Sequence, residues 1–123
     1  MQIYRCNLCG NIVVKLVEGG GDLSCCGAEM VLLTANVTDA SQEKHVPDLH
    51  VEGDTLHVQV GSVAHPMTAE HYIQLILVAQ GANVQYQKLT PADAPAFVCK
   101  IDPTKPIEVY EYCNLHGLWK AEK

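Results

Sequence analysis

The sequence predicts an all-β protein in two parts. A small cysteine-bound module over residues 1–36 precedes an antiparallel β-sandwich of immunoglobulin-like type over residues 37–123. Three observations support this. Four of the six cysteines lie within the first 26 residues. From residue 49 onward, short segments show either apolar/polar alternation or near-continuous apolar character. Prolines at positions 91, 95, 103 and 106 punctuate the gaps between the later segments.

Cys6-Asn7-Leu8-Cys9-Gly10 opens the first part and Cys25-Cys26-Gly27 closes it. Between them, residues 12–17 are β-rich, and Gly19-Gly20-Gly21-Asp22 marks a flexible turn. A unit this short buries too little apolar area to hold itself together, so a bound metal is expected to supply the missing free energy. Residues 30–33 lead out as a strand. Residues 38–44 are polar and predict a helical turn capped by Thr38 or Asp39. His45-Val46-Pro47 ends that turn, because the residue before proline avoids the helical region. Residues 49–52 and 56–60 alternate with period two around Gly53-Asp54, a hairpin signal. Residues 72–79 read as a strand buried on both faces. Residues 84–87, 96–101 and 107–112 complete six or seven strands.

Composition narrows the class. A hydrophobic content of 48% indicates a globular chain. No apolar run approaches the roughly 20 residues that span a bilayer. The opening Met1-Gln2-Ile3-Tyr4-Arg5-Cys6 lacks the pattern of a secretory signal, so a cytoplasmic protein is expected. The net charge of -6 argues against nucleic acid as partner. In a reducing compartment, cysteines serve as metal ligands, catalytic groups or core residues rather than disulfides.

Cys6, Cys9, Cys25 and Cys26 supply four thiolates for a first metal site. The Cys-x-x-Cys spacing lets one turn present two sulfurs to one ion. The adjacent pair requires a kinked backbone, which Gly27 permits, and a distorted tetrahedron is expected. Ligand type does not separate iron from zinc here, and a disulfide pair is the remaining alternative.

A second group combines His45, His65, His71, Cys113 and His116. His65 and His71 bracket a loop that enters the buried strand. Cys113 and His116 share the turn after the last predicted strand, and His45 lies in the polar loop before the sandwich. Five ligands exceed the four of a structural zinc site and suit iron, leaving a sixth position open for chemistry. The site forms only if these connections converge at one end of the fold. His50 and His57 alternate with the apolar residues of their strands and are expected to pair across the hairpin rather than bind this metal. Cys99 reads as a small core residue, and Trp119 as packing that shields the metal loop.

These motifs resemble a known family. Cys6-x-x-Cys9 with Cys25-Cys26 resembles the desulforedoxin module. Glu43-Lys44-His45-Val46-Pro47, His65-Pro66-Met67, His71-Tyr72-Ile73 and Cys113-Asn114-Leu115-His116-Gly117 resemble superoxide reductase. Together, over nearly the whole chain, they resemble desulfoferrodoxin, the two-iron class. The resemblance implies a rubredoxin-like iron bound by Cys6, Cys9, Cys25 and Cys26. It implies a second iron with His45, His65, His71 and His116 equatorial and Cys113 axial, at which superoxide takes one electron and two protons to give hydrogen peroxide. It further implies a homodimer and a rubredoxin-like electron donor.

Under that reading, a ferrous ion with one thiolate carries a net positive charge and attracts an anion. The chain as a whole is acidic, so steering must be local, and Lys44 beside His45 is its expected source. Lys44 is also expected to organise water for proton delivery. Glu43 is expected to close the sixth position of the ferric state. Three rival readings stay open on sequence grounds: a zinc-ribbon-type interaction module, a pure electron carrier using the first site alone, and a dismutase.

Overall fold

The chain begins with a short strand that pairs on both sides. In the computed structural model, which describes residues 1–123, the first compact unit is Met1–Thr34. It contains β1 (Gln2–Arg5), β2 (Ile12–Lys15), β3 (Ser24–Cys25), β4 (Ala28–Glu29) and β5 (Val31–Leu32). The main sheet has the order β2-β1-β5. Its central strand buries Ile3, which is 1% exposed. β1 was not expected from the sequence, because Ile3 is its one buried apolar residue and no alternation announces it. β3 and β4 form a separate hairpin whose turn is Cys26-Gly27. Both turn residues take positive φ, 54° and 74°, the pattern of a type I′ turn. The kink expected in the Cys25-Cys26 pair is therefore present on Cys26 itself, with Gly27 completing the turn.

The second unit, Ala35–Lys123, holds one helical turn, α1 (Gln42–His45), and seven strands: β6 (Pro47–Glu52), β7 (Thr55–Val60), β8 (Ile73–Gln80), β9 (Asn83–Lys88), β10 (Ala96–Lys100), β11 (Glu108–Cys113) and β12 (Gly117–Glu122). They form two antiparallel sheets, β10-β7-β6 and β12-β11-β8-β9. Leu56, Val58 and Val60 of β7 meet Ile76 and Val78 of β8 and Val109 of β11 in one buried cluster. Cys99 joins it, as a small core residue should. No helix is long and apolar enough to cross a membrane.

Two local expectations need correction. α1 is capped at Ser41, not Thr38 or Asp39, and makes no side-chain cap bond. Pro47 fixes where the turn stops, and the Val46 amide closes it on the Gln42 carbonyl at 2.9 Å, so the start is counted back from the proline. His45 is thus the last helical residue rather than part of a loop. β11 is not the final strand: β12 follows, with Leu118 and Trp119 both buried in succession, which hides the period-two signal.

Antiparallel order decides where the ligand-bearing segments go. α1 feeds β6, whose first residue pairs with Val60 at the end of β7. Cys113 at the end of β11 pairs with Ile73 at the start of β8 and with Gly117 at the start of β12. Every connection carrying a predicted histidine or Cys113 therefore lies at one end of the sandwich. Gly61 is the contact that lets α1 close over this end. Its φ is +83°, and a Cβ there would lie 2.3 Å from the Val63 carbonyl oxygen and 2.7 Å from both the Glu43 carbonyl oxygen and the Lys44 Cα.

Candidate metal centres

In the first unit, the Sγ atoms of Cys6, Cys9, Cys25 and Cys26 lie within 4.8 Å of one another. Cys9 and Cys25 are 3.6 Å apart and Cys25 and Cys26 3.9 Å. A tetrahedron with metal–sulfur bonds of about 2.3 Å has edges of about 3.8 Å. All six cysteines of the chain are free thiols, so the disulfide alternative falls away. The Cys9 amide points at Cys6 Sγ at 3.5 Å. Backbone amides of Cys9 and Leu8 hold the Cys6 thiol down at about 6. The neighbouring cysteines push Cys25 up and Cys26 to about 12. Without a cation the four sulfurs tolerate little negative charge together, and a bound metal removes that conflict.

In the second unit, the donor atoms of His45, His65, His71, Cys113 and His116 also lie within 4.8 Å of one another. The rings form a square. Centroids around its edge are 4.7 Å (His45–His65), 4.5 Å (His65–His71), 5.0 Å (His71–His116) and 4.8 Å (His116–His45). Adjacent planes are nearly perpendicular, between 73° and 89°. His45 and His71 face each other across the diagonal at 6.3 Å. His45 Nε2 is 3.2 Å from His65 Nε2 and 3.1 Å from His116 Nδ1. Four nitrogens about 2.1 Å from a common ion have edges of about 3.0 Å. Cys113 Sγ lies 3.5 Å from His65 Nε2 and 3.9 Å from His116 Nδ1.

Tautomers explain why this cluster needs a cation. His45 Nδ1 donates to the Ser41 carbonyl and His65 Nδ1 to the Pro66 carbonyl, each at 2.7 Å. With the protons placed there, the two Nε2 lone pairs are free to converge on one point, where a cation satisfies both. His71 Nε2 is buried with no protein partner. Burial holds His65 down at about 4 and lowers His45 and His71, so the imidazoles stay neutral and competent to ligate. Burial pushes the Cys113 thiol up, a cost that a bound cation offsets. A cation with mixed nitrogen and sulfur preference fits the donor set.

Sequence reasoning missed the groups that fix these ligands. Asn114 ties two loops: its side-chain amide donates to the Glu70 carbonyl at 2.9 Å, and its Oδ1 accepts from the Tyr72 amide at 2.9 Å, on either side of His71. Trp119 was expected to shield the site; its ring stacks on His45 at 4.9 Å and its indole N–H donates to the His116 carbonyl at 3.1 Å. Glu111, 1% exposed, has no partner for either carboxylate oxygen, and burial raises its pKa well above the usual range. The role of Asn114 carries no sequence signal, since it acts through main-chain atoms, and neither does the burial of Glu111 within β11.

Lys44 is exposed, and its charge reaches both His45 and His71, lowering each. Glu43 is exposed too. Its carbonyl accepts from the Val63 amide at 3.1 Å, but no hydrogen bond or ion pair joins its carboxylate to the five donors.

An all-β scaffold with one four-thiolate centre and one four-imidazole, one-thiolate centre defines a two-centre, non-haem metalloprotein. The family model described as desulfoferrodoxin matches residues 37–122, and that of the desulfoferrodoxin N-terminal domain matches residues 1–33. The chain belongs to the desulfoferrodoxin family. It is 50% identical over 125 residues to desulfoferrodoxin of Nitratidesulfovibrio vulgaris, covering 98% of this chain and 95% of that one. It is 48% identical over 122 residues to that of Syntrophotalea carbinolica, covering 99% and 96%. The crystal structure of superoxide reductase from Treponema pallidum superposes with a TM-score of 0.78 at 31% identity, covering 98% of this chain and 97% of that one. The family and the two donor sets agree on two iron ions.

Proposed function

We propose that this chain is a superoxide reductase, converting superoxide to hydrogen peroxide with one electron and two protons at the second centre. The observation that carries this reading is the square of imidazoles with Cys113 against it. His45, His65 and Cys113 are buried, while His71 and His116 are only half-buried, so the cluster reaches the surface. The likeness to the Treponema pallidum superoxide reductase supports it. Iron held by His45, His65, His71, His116 and Cys113 supplies the electron when bound; Cys6, Cys9, Cys25 and Cys26 hold the other iron.

The chain's own residues supply the rest. The Ser41 and Pro66 carbonyls keep His45 and His65 in the ligating tautomer. Lys44 makes no ion pair, so its charge is uncompensated beside a cluster it already influences. It steers the superoxide anion to this end of an acidic chain and orders water that delivers protons. Glu43, next to Lys44, is assigned to closing the open face after product leaves.

Several finer points belong to the same reading. The two functional parts are residues 1–36 and 37–123. Cys9 and Cys26 are exposed, giving a rubredoxin-like donor access to the first centre. Six free thiols suit a reducing cytoplasm. The half-exposed Val31 and Leu32 of β5 offer an edge that a second copy would cover in a homodimer.

The test mixes the ferrous protein with superoxide and measures both products. A reductase yields hydrogen peroxide without dioxygen. Dioxygen evolved faster than by uncatalysed disproportionation would make the chain a dismutase, and a second centre that superoxide leaves ferrous would make it an electron carrier.

A further inference from the structure

The chain has six histidines, and the second centre uses four. The remaining two, His50 on β6 and His57 on β7, are direct partners in the antiparallel register. Both are exposed, and their flanking residues Leu49, Val51, Leu56 and Val58 turn inward. Their ring centroids are 6.1 Å apart with planes tilted by 45°. Apart from this ring contact, neither imidazole has a hydrogen bond or ion pair.

We propose that His50 and His57 form a third metal site, a surface clamp for a borderline divalent cation such as Ni²⁺, Zn²⁺ or Cu²⁺. Directly opposed residues on antiparallel strands hold their Cβ atoms about 5 Å apart, so two imidazoles reach one ion at bonds of about 2.1 Å. The second centre uses ring separations from 4.5 to 6.3 Å, and 6.1 Å falls inside that range. The spacing also survives thermal motion, because the two-residue turn at Gly53-Asp54 pins the register.

The surrounding charges favour a cation. On the outward face of β6, Asp48 and Glu52 stand two residues to either side of His50, and both are exposed. Asp48 pairs with Gln59 and Glu52 with Thr55, which puts both carboxylates diagonal to His57. Diagonal neighbours on one sheet face lie about 7–8 Å apart, within reach of an acidic side chain turning toward an ion. Neither Asp48 nor Glu52 is held in an ion pair. Of the nearby cations, Lys100 opposite Thr55 is bound to Asp54 at 2.9 Å, and Lys123 donates to the Leu49 carbonyl at 3.4 Å. Two imidazoles with optional carboxylates suit Ni²⁺, Zn²⁺ and Cu²⁺ better than the hard cations Mg²⁺ or Ca²⁺. The bound ion would cross-link β6 and β7, whose opposite ends lead to His45 and His65.

The test titrates Ni²⁺ into the ferric protein with both iron centres filled, following heat of binding and the visible spectrum together. A single saturable site is expected, with the iron spectrum unchanged. His50→Gln and His57→Gln should each weaken binding by about tenfold or more, since each removes the intramolecular second ligand. Asp48→Asn and Glu52→Gln should have smaller effects. Both histidines are exposed, so neither change threatens folding, and superoxide turnover is not the readout. No binding at millimolar Ni²⁺, binding that survives His57→Gln, or uptake accompanied by loss of the iron spectrum would each overturn the proposal.

Discussion

Gly61 offers a sharp test of how the second centre is assembled. Replacing it with alanine puts a Cβ 2.3 Å from the Val63 carbonyl oxygen and 2.7 Å from the Glu43 carbonyl oxygen and Lys44 Cα. Every one of these obstacles is main chain: the Val63 carbonyl belongs to the same turn as Gly61 and the other two atoms to α1, so relief requires that turn to deform and α1 to move away from it. The φ of +83° adds the usual cost of a left-handed alanine, about 1–2 kcal/mol. Overpacking adds about 1–3 kcal/mol, for a total of about 2–5 kcal/mol. α1 carries His45 and the turn leads to His65, whose Nε2 atoms sit 3.2 Å apart, and a metal site tolerates only about 0.5 Å of such displacement. Gly53→Ala is the matched control: its φ is +61°, but nothing lies within 4 Å of the added Cβ. The assay is urea unfolding of both variants together with iron content and the second centre's spectrum. Gly61→Ala should lose more stability than Gly53→Ala and should lose the second iron, while Gly53→Ala keeps both. Equal stability and equal iron in the two variants would refute the idea that close approach of α1 builds the site.

Four further outcomes are expected. Lys44→Ala should slow the reaction with superoxide and flatten its dependence on ionic strength, as stopped-flow rates at several salt concentrations would reveal. Asn114→Ala should loosen the His71 loop and lower iron affinity of the second centre by about 10–100-fold, leaving the first centre's spectrum intact; competition with a chelator measures it. The iron-free chain should lose stability in acid: His65 titrates near 4 when folded and near 6.5 when unfolded, so stability is full above about 6.5 and falls as pH drops toward 4, by about 3 kcal/mol from this residue. Glu111→Met should stabilise the iron-free chain by about 1–3 kcal/mol in denaturant titration, because it removes a buried carboxyl group with no partner.

The sequence made some of this legible and concealed the rest for physical reasons. The β6–β7 hairpin was readable to the register, including His50 opposite His57, because one face is buried and the other wet, and a turn signal joins them. β8 was readable because burial on both faces leaves a nearly unbroken apolar run. β12 was not, since Leu118 and Trp119 are buried side by side and blur the alternation. The nine donors were legible because metal coordination restricts residue type at each position. Ser41, Gly61 and Asn114 were not, because their contributions run through a carbonyl, an absent side chain and two main-chain contacts that only the folded chain brings together. The cap of α1 was misplaced for the same reason: Pro47 sets the end of that turn, and Ser41 offers only its position.

The chain contains one tryptophan, and it is stacked on a ligand ring rather than lost elsewhere in the core. Its emission therefore originates beside the second centre and nowhere else. Arrival or departure of iron changes the fluorophore's immediate neighbour, so the molecule carries its own optical gauge of occupancy, legible without any label.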